Sequence, residues 1–183
     1  MFIKKKTLYH GSGIGGIKTF NKAEEDTVGS GVYFTSEAKD AIGYARRWSR
    51  REKNANFIIY ESSVDNIKLV NLRKDKNVKK ILDSFKQVLA EKLREPDLKW
   101  YYEGALKKAI EAIHSGKVST GNLRDVTFSV SDLFSNYIKS LGYDGLITFE
   151  GGEGNDVGHH DTYLIFDPEK IRIDQEQKIR PNS

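Results

Sequence analysis

Gly29-Ser30-Gly31-Val32-Tyr33-Phe34-Thr35-Ser36-Glu37-Ala38-Lys39-Asp40-Ala41-Ile42-Gly43-Tyr44 is the stretch whose reading decides the fold. Val32, Tyr33 and Phe34 are β-branched or aromatic and suit a strand. Ser36 reads as an N-cap with Glu37 in the first turn, so a helix is predicted from Ala38 to about Arg51. That helix holds Tyr44 over the strand end that carries Tyr33. Just upstream, Leu8-Tyr9-His10-Gly11-Ser12 is a short apolar run broken by a histidine and two small residues. Two tyrosines, a histidine and several glycines around one crevice suit a flat aromatic cation, which an aromatic face attracts by about 0.5–2 kcal/mol.

Outward from this stretch, Thr7 to His10 reads as a first strand and Asn56 to Val64 as another, with Asp65-Asn66 marking a turn. Ile67 to Leu72 alternates as a half-buried strand should. Val78, Ile81, Leu82, Phe85, Val88 and Leu89 then recur at helical spacing to about Arg94, and Pro96 ends that helix. A second helix is predicted from about Leu98 to His114, whose imidazole reads as a cation on the helix dipole. In Trp100-Tyr101-Tyr102, packing against the preceding helix is the favoured use over an acceptor-stacking surface. Ser131 caps a third helix through Leu141, with Gly142 as its C′ residue. Gly145 to Phe149 and Tyr163 to Phe166 read as strands, separated by a glycine-rich loop. Mixed strands with inserted helices give an α+β architecture. The chain reads as one domain over residues 1–175, with residues 176–183 a flexible polar tail.

The chain has 183 residues, no cysteine and a formal net charge of +4. That length allows a single core. Without cysteine there are no disulfides and no thiolate chemistry, which fits a reducing cytoplasm. No apolar run is long enough to span a bilayer, and Lys4-Lys5-Lys6 opens no signal peptide, so no membrane partner is expected. A mild positive balance is compatible with a nucleic-acid acceptor and equally with an ordinary enzyme. Arg46, Arg47, Arg50 and Arg51 read first as a solvated basic face and second as phosphate contacts.

Competing motifs fail on their context. Gly13-Ile14-Gly15-Gly16 would need to open a helix to be a dinucleotide fingerprint, and Ile17-Lys18-Thr19-Phe20-Asn21 does not start one. Adjacent residues on a strand face opposite ways, so His159-His160 cannot easily chelate one ion, and no metal site is expected. A Gly-x-Ser-x-Gly elbow for a serine hydrolase is missing.

In the order His10-Gly11-Ser12, Gly29-Ser30-Gly31-Val32-Tyr33-Phe34, Tyr44, Gly142-Tyr143-Asp144-Gly145-Leu146-Ile147 and Tyr163-Leu164-Ile165-Phe166-Asp167-Pro168, the chain resembles the ADP-ribosyltransferase superfamily. The resemblance is to its diphtheria-toxin and poly(ADP-ribose) polymerase branch, and to small phage- and mobile-element-associated members. It leaves roughly residues 65–140 unmatched. It implies a split core of two crossed, mostly antiparallel sheets around a cleft for NAD, the co-substrate. His10 is implied to hydrogen-bond the adenosine ribose, with Ser12 supporting that contact. Tyr33 and Tyr44 would sandwich the nicotinamide, Gly11 would offer its main-chain N–H and C=O to the carboxamide, and Phe34 completes the NAD-binding set. A larger residue at position 11 would block that approach.

One position departs from the pattern. The family has a glutamate immediately before the tyrosine of the last strand, and Thr162 stands there. The implied catalytic set is therefore His10, Tyr33 and Thr162. Asp161 would point to the other sheet face. Glu153, with Asp156 on the same glycine-rich loop, is the candidate replacement carboxylate. A threonine hydroxyl carries no charge to stabilise an oxocarbenium-like transition state, which favours transfer of a single ADP-ribose over polymer growth.

The expected function is thus an NAD-dependent mono-ADP-ribosyltransferase, a toxin or defence effector acting inside a cell, with an antitoxin or immunity protein as a partner. Its acceptor is a macromolecule, RNA or DNA slightly ahead of protein. The alternative is a lapsed transferase fold that binds NAD or nucleic acid without turnover. A nucleic-acid 2′-phosphate transferase would require arginines around the cleft that the sequence does not place.

Overall fold

Eleven strands and helices are found among the described residues. The computed structural model describes residues 1–22, 28–51, 57–150 and 158–179. In chain order they are β1 (Phe2–Ser12), β2 (Val32–Thr35), α1 (Ala38–Arg51), β3 (Phe57–Asn71), α2 (Asp75–Lys92), α3 (Trp100–His114), α4 (Arg124–Thr127), α5 (Ser131–Ser140), β4 (Gly145–Glu150), β5 (His160–Ile165) and β6 (Ile171–Ile179).

The strands form one six-stranded sheet in the order β1-β2-β5-β4-β3-β6, and β1 also pairs with β3. Only the β3–β4 contact is parallel. The layers implied by the resemblance are therefore continuous, with β1, β2, β5, β4 and β3 closing on themselves. Side-chain alternation splits the apolar residues between two cores. Leu8, Phe34, Tyr60, Ile147, Tyr163 and Ile165 fill the inside of the closed strands. Leu146 and Leu164, their neighbours on β4 and β5, face outward onto Phe85, Leu106 and Phe134 of the helical layer. At about 25 cal/mol per Å² of apolar surface, both layers contribute to stability, and the central strands are shielded on both faces.

Several expectations change. Asp65-Asn66 is not a turn: β3 runs straight through it, because β1 pairs on both sides, Lys5 with Asp65 and Ile3 with Ile67. Asn66 alone takes a left-handed conformation, at φ 54°, which asparagine tolerates better than most residues. The polar run after Gln175 is strand as far as Ile179: β6 lies along β3, with Glu176 opposite Tyr60 and Ile179 opposite Phe57. Residues 180–183, and Asn56 at the expected start of β3, lie outside the described residues. At the start of α1 it is the carbonyl of Glu37, not of Ser36, that accepts from Asp40 and Ala41. Val130, not Ser131, occupies the cap position of α5, while Gly142 follows that helix at φ 79°.

Trp100 and Tyr101 are 83% and 57% exposed and do not pack into the core. The buried stripe of α3 runs through Leu106, Ala109 and Ile113, and only Tyr102, four positions before Leu106, shares it. His114 is not a bare cation on a helix end. Its Nε2 lies 2.6 Å from the Lys86 ammonium, which can only donate, so the ring is neutral at that nitrogen. Among the described residues no helix is long and apolar enough to cross a membrane.

Candidate active site

β1 and β2 place the first two motifs side by side, with Tyr9 opposite Thr35. His10 therefore points into the closed strands. Its ring meets Phe20 at 4.9 Å and Phe34 at 5.8 Å between centroids, both edge-on. Nδ1 is 2.8 Å from the carbonyl oxygen of Tyr33. A carbonyl only accepts, so Nδ1 carries the proton and Nε2 is the free acceptor of the neutral ring. Burial pushes the His10 pKa below its ordinary value, and the bond to Tyr33 offsets only part of this. The Ser12 Oγ accepts from the N–H of Ile14 at 3.0 Å and shapes the following turn.

Phe20 covers His10 from a segment that is itself fastened. The buried hydroxyl of Tyr60 accepts from Ile17 N–H at 3.1 Å and reaches the Ile14 carbonyl at 2.9 Å. It also lies 3.1 Å from Glu176 Oε2, which takes the N–H of Gly16 at 2.8 Å. Phe34, 2% exposed, belongs to this interior.

Tyr33 projects from the opposite face. It lies across from Leu164 of β5 and packs on the helical layer. Its hydroxyl donates to Gly29 O at 2.7 Å and accepts from Val28 N–H and Gly29 N–H, each at 3.1 Å. The glycine before the strand has a separate cause: a Cβ on Gly29 would lie 2.6 Å from Ser135 Oγ and 3.0 Å from Leu164 Cδ2. Gly11 also faces this side. A Cβ built on it would lie 2.0 Å from the Ala41 carbonyl oxygen and 2.8 Å from the Ala45 nitrogen. Its lack of a side chain admits the close approach of α1.

Tyr44, on α1, reaches β5. Its hydroxyl is 3.1 Å from His160 Nε2, with the rings edge-on at 5.5 Å. His160 Nδ1 is 2.7 Å from the Gly158 carbonyl, so that nitrogen holds the proton and Nε2 accepts from Tyr44. Thr162 is 2% exposed. Its hydroxyl donates to Glu150 Oε2 at 3.2 Å and lies 3.2 Å from His160 Nε2. Glu150 ends β4 directly opposite His160. Residues 160, 162 and 164 of β5 share the face of Tyr33, since Thr35 is opposite Thr162.

One face thus gathers Tyr33, Tyr44, His160, Thr162 and Glu150, while His10 and Phe34 lie behind the sheet, His10 meeting that group through the Tyr33 carbonyl. Asp161 points away, as expected, and accepts from Arg73 at 2.6 Å. His159 diverges from His160 and stacks flat on Phe149 at 5.3 Å. Glu153 and Asp156 lie outside the described residues, as do the side chains of Arg50 and Arg51; Arg46 and Arg47 are exposed. Glu150 and His160 were missed as site residues. His160 carries a register signal, two strand positions from Thr162, whereas Glu150 meets His160 only through the β4–β5 pairing.

The family model for ADP-ribosyltransferases in polyvalent proteins matches residues 4–178. Among solved structures, the chain resembles one described as the crystal structure of the M. tuberculosis MbcT-MbcA toxin-antitoxin complex. The TM-score is 0.53 at 10% identity, covering 98% of this chain and 87% of that one. In the comparison with curated proteins nothing matches.

Proposed function

The chain belongs to the ADP-ribosyltransferases of polyvalent proteins, and from that premise we propose that it is a mono-ADP-ribosyltransferase that consumes NAD. The observation that supports this reading best is the Tyr44–His160–Thr162–Glu150 group on the face shared with Tyr33. Nicotinamide leaves NAD as a neutral ring from a cationic precursor, so its departure needs no proton. The protein's task is to hold the ring and to stabilise positive charge left on the ribose. Tyr44 offers an aromatic face whose hydroxyl is anchored by His160. His10 holds one unprotonated nitrogen for a ribose hydroxyl, once the Phe20 segment moves aside.

The acceptor in this reading is a single-stranded nucleic acid. Exposed Trp100 and Tyr101 supply rings for base stacking, Lys99 sits 5.9 Å from the Tyr101 ring, and Arg46 and Arg47 supply exposed charge. The likeness to the MbcT-MbcA toxin-antitoxin complex motivates the further proposal of a toxin held by an antitoxin, working in the cytoplasm. Incubation with labelled NAD and separate pools of RNA, DNA and protein tests the reading. Label in RNA or DNA that weakens steeply with salt supports it. Absence of nicotinamide release with every pool refutes transfer. NAD binding without turnover would favour the second reading, a lapsed binding module, for which the threonine at 162 is the motive.

A further inference from the structure

We infer that His160 is a positioning residue for NAD, a buried brace that ties Tyr44 of α1 to Thr162 of β5 and holds the tyrosine where the nicotinamide binds. The inference rests on the transferase reading above, in which Tyr44 takes the nicotinamide ring, and adds the residue that steadies it.

The two ends of the brace belong to different parts of the fold. α1 packs chiefly on β1 and β3, and Gly11 of β1 seats it by letting the Ala41 carbonyl come close. β5 lies across the sheet, between β2 and β4. The Tyr44 side chain must therefore reach from one element to the other, and His160 is a group that meets it there.

His160 is 5% exposed, and both of its ring nitrogens are engaged. Nδ1 lies 2.7 Å from the Gly158 carbonyl, which can only accept, so Nε2 is the unprotonated nitrogen of the neutral ring. That one atom stands 3.1 Å from the Tyr44 hydroxyl and 3.2 Å from the Thr162 hydroxyl. Thr162 gives its proton to Glu150 Oε2, which leaves Nε2 to the proton of Tyr44. The two rings also meet edge-on at 5.5 Å, so packing and a hydrogen bond act on the phenol together. Departure of nicotinamide needs no proton. What this imidazole offers that step is the place of an aromatic face, and its effect belongs in NAD affinity rather than in turnover.

Asparagine and glutamine at position 160 separate the two ends of the ring. The asparagine amide falls near Nδ1 and can meet Gly158, whereas the glutamine oxygen extends toward Nε2 and can meet Tyr44. NAD calorimetry, nicotinamide-release kinetics across the acceptor pools and melting temperature are compared in wild type, His160→Asn, His160→Gln, Tyr44→Phe and the double variant Tyr44→Phe/His160→Asn. His160→Asn is expected to raise Kd and KM for NAD about fivefold or more, with kcat within about threefold of wild type. His160→Gln is expected to bind NAD within about twofold of wild type. The double variant should lose no more than His160→Asn alone, because the tie is already cut. Wild-type affinity in His160→Asn, equal losses in the two amides, or losses that multiply in the double variant each overturn the inference and leave the transferase reading intact. So does a change in His160→Asn confined to kcat or to melting temperature. A wild-type protein that neither binds NAD nor releases nicotinamide overturns the reading and the inference together.

Discussion

His10 donates through Nδ1 to the main-chain carbonyl of Tyr33 at 2.8 Å, and this bond crosses from the strand interior to the residue that opens the other face. It fixes the tautomer of a ring whose pKa is lowered chiefly by burial. The unfolded chain thus binds a proton at higher pH than the folded one. Stability contributed by neutral His10 is complete above the ordinary histidine value and declines as pH falls through the depressed folded value. Urea midpoints of wild type are expected to drop between about pH 7 and pH 5 more than those of His10→Gln, in which this proton uptake is removed. Parallel profiles would refute the role.

Tyr33→Phe separates anchoring from stacking. The ring stays, but Val28 N–H, Gly29 N–H and Gly29 O lose their shared partner. The expected cost is about 1–3 kcal/mol, read from denaturant unfolding. Tyr33→Ala should abolish nicotinamide release as well.

Gly11→Ala is expected to be among the most damaging small substitutions in the chain. The added methyl has no room beneath Ala41 and Ala45, and those contacts are helix backbone, which cannot rotate away. A loss of about 3 kcal/mol or more, with α1 displaced from β1, should appear as a lowered urea midpoint. An unchanged midpoint would mean that α1 is not seated on this strand.

At position 44, the aromatic face and the hydroxyl make different predictions. Tyr44→Phe keeps the ring and loses the bond to His160, so kcat/KM should fall by less than about tenfold. Tyr44→Ala removes the face and should raise KM for NAD by about tenfold or more. Equal effects of the two variants would assign the role to the hydroxyl.

How far the sequence could be read depended on the range of the interaction. Local rules found the span of α1, because Ala38 to Arg51 is set by its own spacing and flanks, but put its cap one residue early. They also found β2, β4 and most of α2 and α3. They missed β6, whose polar residues read as a loose end; its strand conformation comes from pairing with β3, more than a hundred residues away in the chain. They placed a turn at Asp65-Asn66 because only the β1 partner shows that the strand continues. For the candidate site, motif order made His10, Tyr33 and Tyr44 legible as candidates. Which face each takes was not, since that follows from the register of β1, β2 and β5. Glu150 was hidden for the same reason: nothing nearby in sequence announces that it ends up opposite His160. Trp100 and Tyr101 were misjudged because composition invites aromatic burial, while the turn of the helix sets them outside it.

The bond set around Tyr60 ties the two ends of the polypeptide together. Glu176 in the last strand holds Gly16 and meets the same phenol that grips Ile14 and Ile17, while Phe20 from that segment shields His10. β6 occupies an outer edge of the sheet, where a foreign strand can compete by main-chain pairing. Glu176 in β6 thus helps to fasten the segment whose Phe20 lies over the histidine, so a change at this edge strand is felt at that ring.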